Sequence, residues 1–175
     1  TDTLGRRTVA VGNGALQSQN FTTATNSYNT AVGYDAGTLV STGVGNTFVG
    51  SLAGDGTDDG NNNTAVGYLA LSANCGDGNT AFGYAALNVS TGANNTAIGI
   101  SAGLGQTSGG NNIFIGTDAG RTGGPGGNIT TQNNILSIGN GNIATANIQV
   151  DWTVASDQRD KTDFTALDLG LDFVK

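Results

Sequence analysis

The chain has 175 residues, of which 30 are Gly and only 1 is Pro, and it contains neither His nor Met. High glycine with so little proline excludes a collagen triple helix, and a charged fraction of 11% with regular short apolar runs argues against disorder. A net charge of -7 has the wrong sign for attracting a phosphate backbone, so we expect no nucleic-acid partner.

Residues 1–28 precede the regular part of the chain. Within them Val11-Gly12 is a loose relative of a unit that recurs downstream. We therefore predict an N-terminal strand and connector over residues 1–28.

Residues 29–150 contain an internal repeat of the form Asn-Thr-x-aliphatic-Gly. The first clear copy is Asn29-Thr30-Ala31-Val32-Gly33, and Ile138-Gly139 is a looser one. The glycines of the six clear copies are 16 or 17 residues apart, at positions 33, 50, 67, 83, 99 and 116. An alanine follows each glycine by three residues: Ala36, Ala53, Ala70, Ala86, Ala102 and Ala119. Such a fixed period is the signature of a repeat architecture.

Each repeat unit predicts a short strand followed by turns. The two-residue alternation in Thr30-Ala31-Val32 is typical of a strand, and the Asn, Asp and Gly clusters that follow favour sharp corners. One aliphatic residue and one alanine per unit cannot form a core alone, so we expect stacked units to line both into internal columns. The sequence predicts an all-β fold, a parallel β-solenoid or β-roll of 16–17-residue repeats.

A coil this thin is not expected to stand alone. Small residues such as Gly33 and Ala36 allow backbones to approach closely. We predict that several chains share one axis in a closed assembly, which would cover surfaces and strand edges that one chain must expose. The alternative is a single-chain solenoid whose Ala and Gly fill a narrow interior.

The stretch from Asn29 to Gly120 resembles the head repeats of trimeric bacterial adhesins and related repeats in phage and algal-virus tail fibres. Units such as Asn63-Thr64-Ala65-Val66-Gly67-Tyr68 carry the resemblance, which covers more than half of the chain. It implies a left-handed parallel β-roll and a homotrimer.

Weaker signals lie in the turns and beside the repeat glycines. Asp55, Asp58 and Asp59 concentrate oxygen ligands that calcium prefers, but their spacing matches no calcium loop, and solvated turns explain them as well. Tyr34, Tyr68 and Tyr84 each follow a repeat glycine. They form either an exposed aromatic ladder for carbohydrate or a packing surface between rungs or subunits. Without His and with the single Cys75, no zinc site is expected, and we predict no cofactor.

Residues 151–175 differ in composition from the repeats, because they hold the only lysines of the chain, Lys161 and Lys175. Residues 147–154 alternate like a last strand, and the apolar residues Leu167, Leu171 and Val174 have the spacing of a helix that is beginning. We therefore predict a junction and the start of a C-terminal α-helical segment.

This C-terminal end is similar to the start of the intramolecular chaperone domain of phage tail spikes and endosialidases. The similarity rests on Ser156-Asp157-x-Arg159-x-Lys161 and on residues 169–173, Leu-Gly-Leu-Asp-Phe. It implies a domain that trimerises the fibre and then cuts itself off at Ala155-Ser156. Ser156 would be the nucleophile and Lys161 its base, a chemically sensible pair. The alternative is a charged turn that caps a helix.

These signals lead to a structural and attachment function. The leading hypothesis is a homotrimeric viral tail fibre, outside the cell, that contacts other virion tail proteins and a host-surface receptor or glycan. Alternatives are a bacterial cell-surface adhesin, a polysaccharide-degrading tail spike and an ice-binding solenoid with a flat threonine array. Apart from self-cleavage, no enzyme is evident, since the repeats lack the paired carboxylates of glycosidases. No apolar stretch reaches the roughly 20 residues of a membrane span, so we expect no membrane insertion.

Overall fold

The computed structural model describes residues 5–121, 123 and 127–145. Within these residues the chain forms short strands and turns and no helix. The strands are β1 (Gly5–Arg6), β2 (Val9–Val11), β3 (Thr25–Asn26), β4 (Thr30–Val32), β5 (Thr47–Val49), β6 (Thr64–Val66), β7 (Thr80–Phe82), β8 (Thr96–Ile98), β9 (Ile113–Ile115) and β10 (Leu136–Ile138). The prediction of an all-β fold is confirmed.

Eight strands form one parallel sheet in which every turn of the coil, here called a rung, lies beside the next. The strand order is β10-β9-β8-β7-β6-β5-β4-β2, so spatial order follows chain order. Equivalent residues face each other: Thr47 lies beside Thr64 and Val49 beside Val66. β1 and β3 form a separate two-stranded parallel sheet. The predicted parallel β-solenoid is confirmed, with the register that the repeat alignment implies.

Each rung turns sharply after its strand through left-handed backbone. Gly33 has a φ of +146°, and a Cβ there would lie 2.4 Å from the carbonyl oxygen of Gly50 in the next rung. Glycine is therefore required at this corner. A second left-handed corner two residues later holds residues with side chains, including Asp35, Leu52 and Leu69 with φ between 51° and 59°. This costs about 1–2 kcal/mol per residue, so contacts between rungs must hold the corner in place.

Two columns of side chains line the interior. The first is the alanine column, and all six members are fully buried: Ala36, Ala53, Ala70, Ala86, Ala102 and Ala119. The prediction that these alanines are internal is confirmed. The second column is the middle residue of β4 to β9: Ala31, Phe48, Ala65, Ala81, Ala97 and Phe114, each with no exposed area.

The aliphatic residues of the repeat lie outside the solenoid, so the prediction that they line an internal column is wrong. Val32 and Val49, for example, are exposed, although the middle residue beside each of them is buried. Successive side chains of a strand point to opposite faces. A strand of three residues can therefore turn only its middle side chain inward, and the threonine and the aliphatic residue both point outward.

The two phenylalanines of the inner column occupy space that glycines leave free. A Cβ on Gly54 would lie 2.5 Å from the Phe48 ring, and one on Gly37 would lie 2.8 Å from it. In the rungs of Ala65 and Ala81 the position equivalent to Gly54 holds a fully buried leucine, Leu71 or Leu87. In the rungs of Ala31 and Ala97 it is again glycine, Gly37 or Gly103, and the ring of Phe48 or Phe114 in the next rung reaches the space beside it. Each of these rungs is therefore filled by a large side chain of its own or by the phenylalanine of its neighbour.

The asparagine of each repeat forms a buried ladder along the solenoid. The Oδ1 atom of Asn46 accepts the backbone N–H of Asn63 at 2.9 Å, and Oδ1 of Asn63 accepts that of Asn79 at 2.8 Å. The Nδ2 group of Asn46 donates to the carbonyl oxygen of Gly60 at 2.8 Å. Four other asparagines accept a backbone N–H of the next rung through Oδ1 in the same way: Asn29, Asn79, Asn95 and Asn112. These bonds join successive rungs and tie the strand to the loop that faces it.

Candidate functional site

The outward face of the eight-stranded sheet carries two ladders of side chains. The first ladder is Val9, Thr30, Thr47, Thr64, Thr80, Thr96, Ile113 and Leu136. The second is Val11, Val32, Val49, Val66, Phe82, Ile98, Ile115 and Ile138. The residues of both ladders are called the outer sheet face below. The strict register makes each ladder continuous from β2 to β10.

The outer sheet face is apolar and uncharged. Every member of the second ladder except Val66 has between 36% and 57% of its surface exposed. The first ladder adds threonine methyl groups and the exposed side chains of Val9, Ile113 and Leu136. No charged residue stands at any of these positions. The absence of charged residues, together with exposed aliphatic and aromatic side chains, is typical of the centre of a protein interface.

The exposed apolar residues of this face are contiguous and do not occur as isolated side chains. Strands lie about 4.8 Å apart, so eight strands span roughly 34 Å along the solenoid axis. All-parallel sheets occur almost only with both faces covered. Here the solenoid interior covers one face, and within the part of the chain that the structure describes nothing covers the other. A contiguous apolar patch of this kind marks an interaction site.

The three tyrosines singled out from the sequence lie beyond the C-terminal ends of their strands, directly after the repeat glycines. Tyr34, Tyr68 and Tyr84 are all about half exposed. Tyr68 and Tyr84 stack on each other, with ring centroids 5.8 Å apart and an angle of 29° between their planes. The tyrosines therefore belong to one column along the solenoid axis.

The candidate calcium ligands do not converge on one point. Asp55 accepts a hydrogen bond from Ser72 at 2.5 Å, in the following rung, whereas Asp58 accepts one from Ser41, in the preceding rung. Asp59 is exposed. In the described ranges no three His, Cys, Asp or Glu side chains are grouped so that they could hold a metal ion. Asp55 and Asp58 therefore each link their own rung to a neighbouring one.

The predicted self-cleavage site lies outside the described residues. This applies to Ser156, Lys161 and the Ala155-Ser156 bond, and also to the predicted last strand and the C-terminal helix. Their roles stay predictions from the sequence. Of the residues that the structure covers, none belongs to a helix long and apolar enough to cross a bilayer.

Sequence reasoning missed the outer sheet face, although the sequence contains its signal. In β4 to β9 the middle residue is either Ala or Phe, while the third residue is always large and apolar: Val, Phe or Ile. The middle residues therefore follow the size limits of a narrow core, whereas the third residues are large in every strand. Because the two positions point to opposite faces, this pattern indicates a second apolar surface. The asparagine ladder was also missed, because its role depends on the stacking of rungs.

Comparison with known proteins gives no further assignment. No protein-family model matches the chain, and no curated protein or solved structure shows significant similarity to it.

Proposed function

We propose that this protein is a structural and attachment protein, the repeat shaft or head of a homotrimeric viral tail fibre. It acts at an extracellular surface, between other tail proteins and a host-surface receptor or glycan. The observation that carries the proposal is the outer sheet face. A solenoid with a long, apolar, uncharged face has a surface that needs a partner of the same length.

A second copy of the chain is the partner that fits this face best. The two ladders repeat at every rung, so a partner that covers all eight strands needs side chains with the same spacing. An identical chain in parallel orientation has that spacing and brings equivalent rungs to the same level. Closed cyclic symmetry then leaves no copy of the face bare. Three is the number of chains that the resemblance to adhesin and tail-fibre repeats implies.

The resemblance of residues 151–175 to an intramolecular chaperone supports the same function. A domain that brings three chains together would bring the three outer sheet faces into contact before the rungs close. Self-cleavage by Ser156 and Lys161 belongs to this proposal and rests on the sequence motif alone.

Cysteine cross-linking tests the parallel assembly. Thr30→Cys and Thr96→Cys place thiols on the first ladder in β4 and β8, roughly 19 Å apart along the axis. With a short bifunctional thiol reagent, both variants should give covalent dimers of the chain on a denaturing gel. In parallel, in-register chains each site meets its own counterpart, whereas antiparallel chains could bring at most one of the two sites together.

Thr91→Cys is the matched control, because Thr91 is exposed but lies outside the outer sheet face. Cys75 can remain in all variants. It is only 2% exposed, and burial raises the pKa of its thiol, so it should not react in the folded protein. Equal cross-linking at Thr91, or none at Thr30 and Thr96, would contradict the assembly.

A further inference from the structure

The sequence Gly-Asn-Gly occurs twice, at residues 12–14 and 139–141, in the first and the last rung that the structure describes. An asparagine before glycine is prone to lose its side-chain amide, because the nitrogen of a residue without Cβ can approach the side-chain carbonyl carbon closely. Folding suppresses the reaction where hydrogen bonds hold the two residues. The contacts of each copy therefore decide whether it reacts in the folded protein.

The backbone N–H of Gly14 is free because Gly14 belongs to the first rung. At the equivalent corner of the next six rungs the N–H donates to the carbonyl oxygen of the preceding rung, and the donors are Asp35, Leu52, Leu69, Ala85, Ser101 and Asp118. The N–H of Gly14 makes no such bond among the described residues. Its nitrogen can therefore move without breaking a contact between rungs.

The side chain of Asn13 is also unrestrained. It is exposed, and its amide makes no hydrogen bond with any residue that the structure describes. The backbone carbonyl of Asn13 accepts the N–H of Asp35 at 2.8 Å, so the main chain is held while the side chain can rotate toward Gly14. The carboxylate of Asp35 fills the space that a Cβ on Gly14 would need. Stacking of the second rung on the first therefore favours glycine at this position.

The second copy of the same tripeptide is held more firmly. The Oδ1 atom of Asn140, which is half-buried, accepts the backbone N–H of Asn142 at 3.0 Å. Gly141 packs against the backbone of Gly123, and a Cβ on Gly141 would collide with that carbonyl oxygen. The side chain of Asn140 must give up a hydrogen bond before it can turn to the nitrogen of Gly141. The two copies thus combine one sequence with different restraints.

We propose that Asn13 is a site of spontaneous modification, at which the side-chain amide is lost and isoaspartate or aspartate is formed. The Gly14 nitrogen bonds to Cγ of Asn13, its proton leaves with the side-chain nitrogen as ammonia, and a cyclic imide remains. Water then opens the imide at one of its two C–N bonds. Cleavage beside the backbone carbonyl leaves isoaspartate, and cleavage beside Cγ leaves aspartate. The reaction needs no reactant except water, and it is independent of the number of chains in the assembly.

Isoaspartate at residue 13 loosens the first rung from the second. The carbonyl group that accepts the N–H of Asp35 becomes a free carboxylate, and the main chain gains one carbon atom at a sharp corner. The new negative charge also lies near the carboxylate of Asp35, and like charges repel. Contacts between later rungs are unchanged. The modification is therefore an irreversible change that is confined to the N-terminal end of the solenoid.

Peptide mapping by mass spectrometry tests the proposal on the whole chain, incubated for weeks at mildly alkaline pH. Asn13 should be converted mainly to isoaspartate, at least about fivefold faster than Asn140, since the hydrogen bond of Asn140 must break first. In a sample unfolded in denaturant the two rates should become similar, because the tripeptides are identical. The proposal is overturned if Asn13 keeps its amide in the folded chain, or if Asn140 reacts there as fast as Asn13.

Hydrogen exchange on the same aged sample measures the structural consequence. The amide of Asp35 should exchange faster than in the fresh chain, and that of Ser101, which bonds to Tyr84 in the preceding rung, should not change. Asn13→Asp is the matched control, because it adds the same charge with an ordinary backbone and should keep the slow exchange of Asp35. Asn13→Gln should stay unmodified over the same time. Equal acceleration at Asp35 in aged Asn13→Gln would contradict the role of Asn13.

Discussion

Phe48→Ala should lower the free energy of unfolding by about 3–5 kcal/mol. Phe48 is fully buried; its ring fills the space beside Gly54 and, together with Leu16, the space beside Gly37. Its loss leaves a cavity that a rigid coil of stacked rungs cannot close. Denaturant unfolding at a fixed protein concentration measures the effect. Leu39→Ala is the control, since Leu39 is 54% exposed and should change stability by less than about 0.5 kcal/mol.

A second substitution distinguishes specific packing from simple loss of hydrophobic area. Gly54→Leu alone should destabilise the protein, because its Cβ would lie 2.5 Å from the Phe48 ring. Combined with Phe48→Ala it recreates the pair found at Ala65 and Leu71, where Leu71 has a φ of 53°, near the 62° of Gly54. The double variant should be more stable than Phe48→Ala alone. If the losses in the free energy of unfolding of the two single variants simply add in the double variant, the two side chains do not occupy the same space.

Ile98→Asp should separate the assembly into single chains and leave each chain folded. Ile98 lies in β8, in the interior of the outer sheet face, and 45% of its surface is exposed in one chain. In the assembly, equivalent aspartates would meet in an apolar interface without cationic partners. An unpaired buried charge costs several kcal/mol, so the dissociation constant should rise by at least about a thousandfold, or about 4 kcal/mol.

Sedimentation over a concentration series measures this change, with circular dichroism as the test of folding. Leu39→Asp is the matched control, because it replaces an apolar residue of similar exposure that lies outside the outer sheet face. It should not alter the mass of the assembly. If Ile98→Asp assembles as the original chain does, the outer sheet face is not the contact between chains.

The parallel solenoid could be predicted from the sequence, because the fixed repeat period determines which residues pair in neighbouring strands. Asn, Thr and Gly recur at fixed positions, and parallel strands one period apart pair equivalent residues, as Thr47 and Thr64 do. The assignment of inside and outside failed at Val32 and its equivalents. Hydrophobicity placed these residues in the core, whereas a three-residue strand has room for only one inward side chain.

Other features depend on contacts between rungs and could not be predicted locally. Leu52 and Leu69 adopt left-handed backbone that leucine rarely accepts, and the stacking of neighbouring corners imposes it. The tyrosines were predicted to form either an exposed ladder or a packing surface, and the stacking of Tyr68 on Tyr84 follows only once neighbouring rungs are in register. Asp55 and Asp58 looked like neighbours in one turn, and their hydrogen bonds go to opposite rungs.

The mass of the native assembly tests the central claim most directly, because the outer sheet face needs copies of the same chain to cover it. Native mass spectrometry of the 175-residue chain at micromolar concentration gives the number of chains, and the same sample after denaturation gives the mass of one chain. The account predicts three chains in the native species. A folded single chain at that concentration would contradict it.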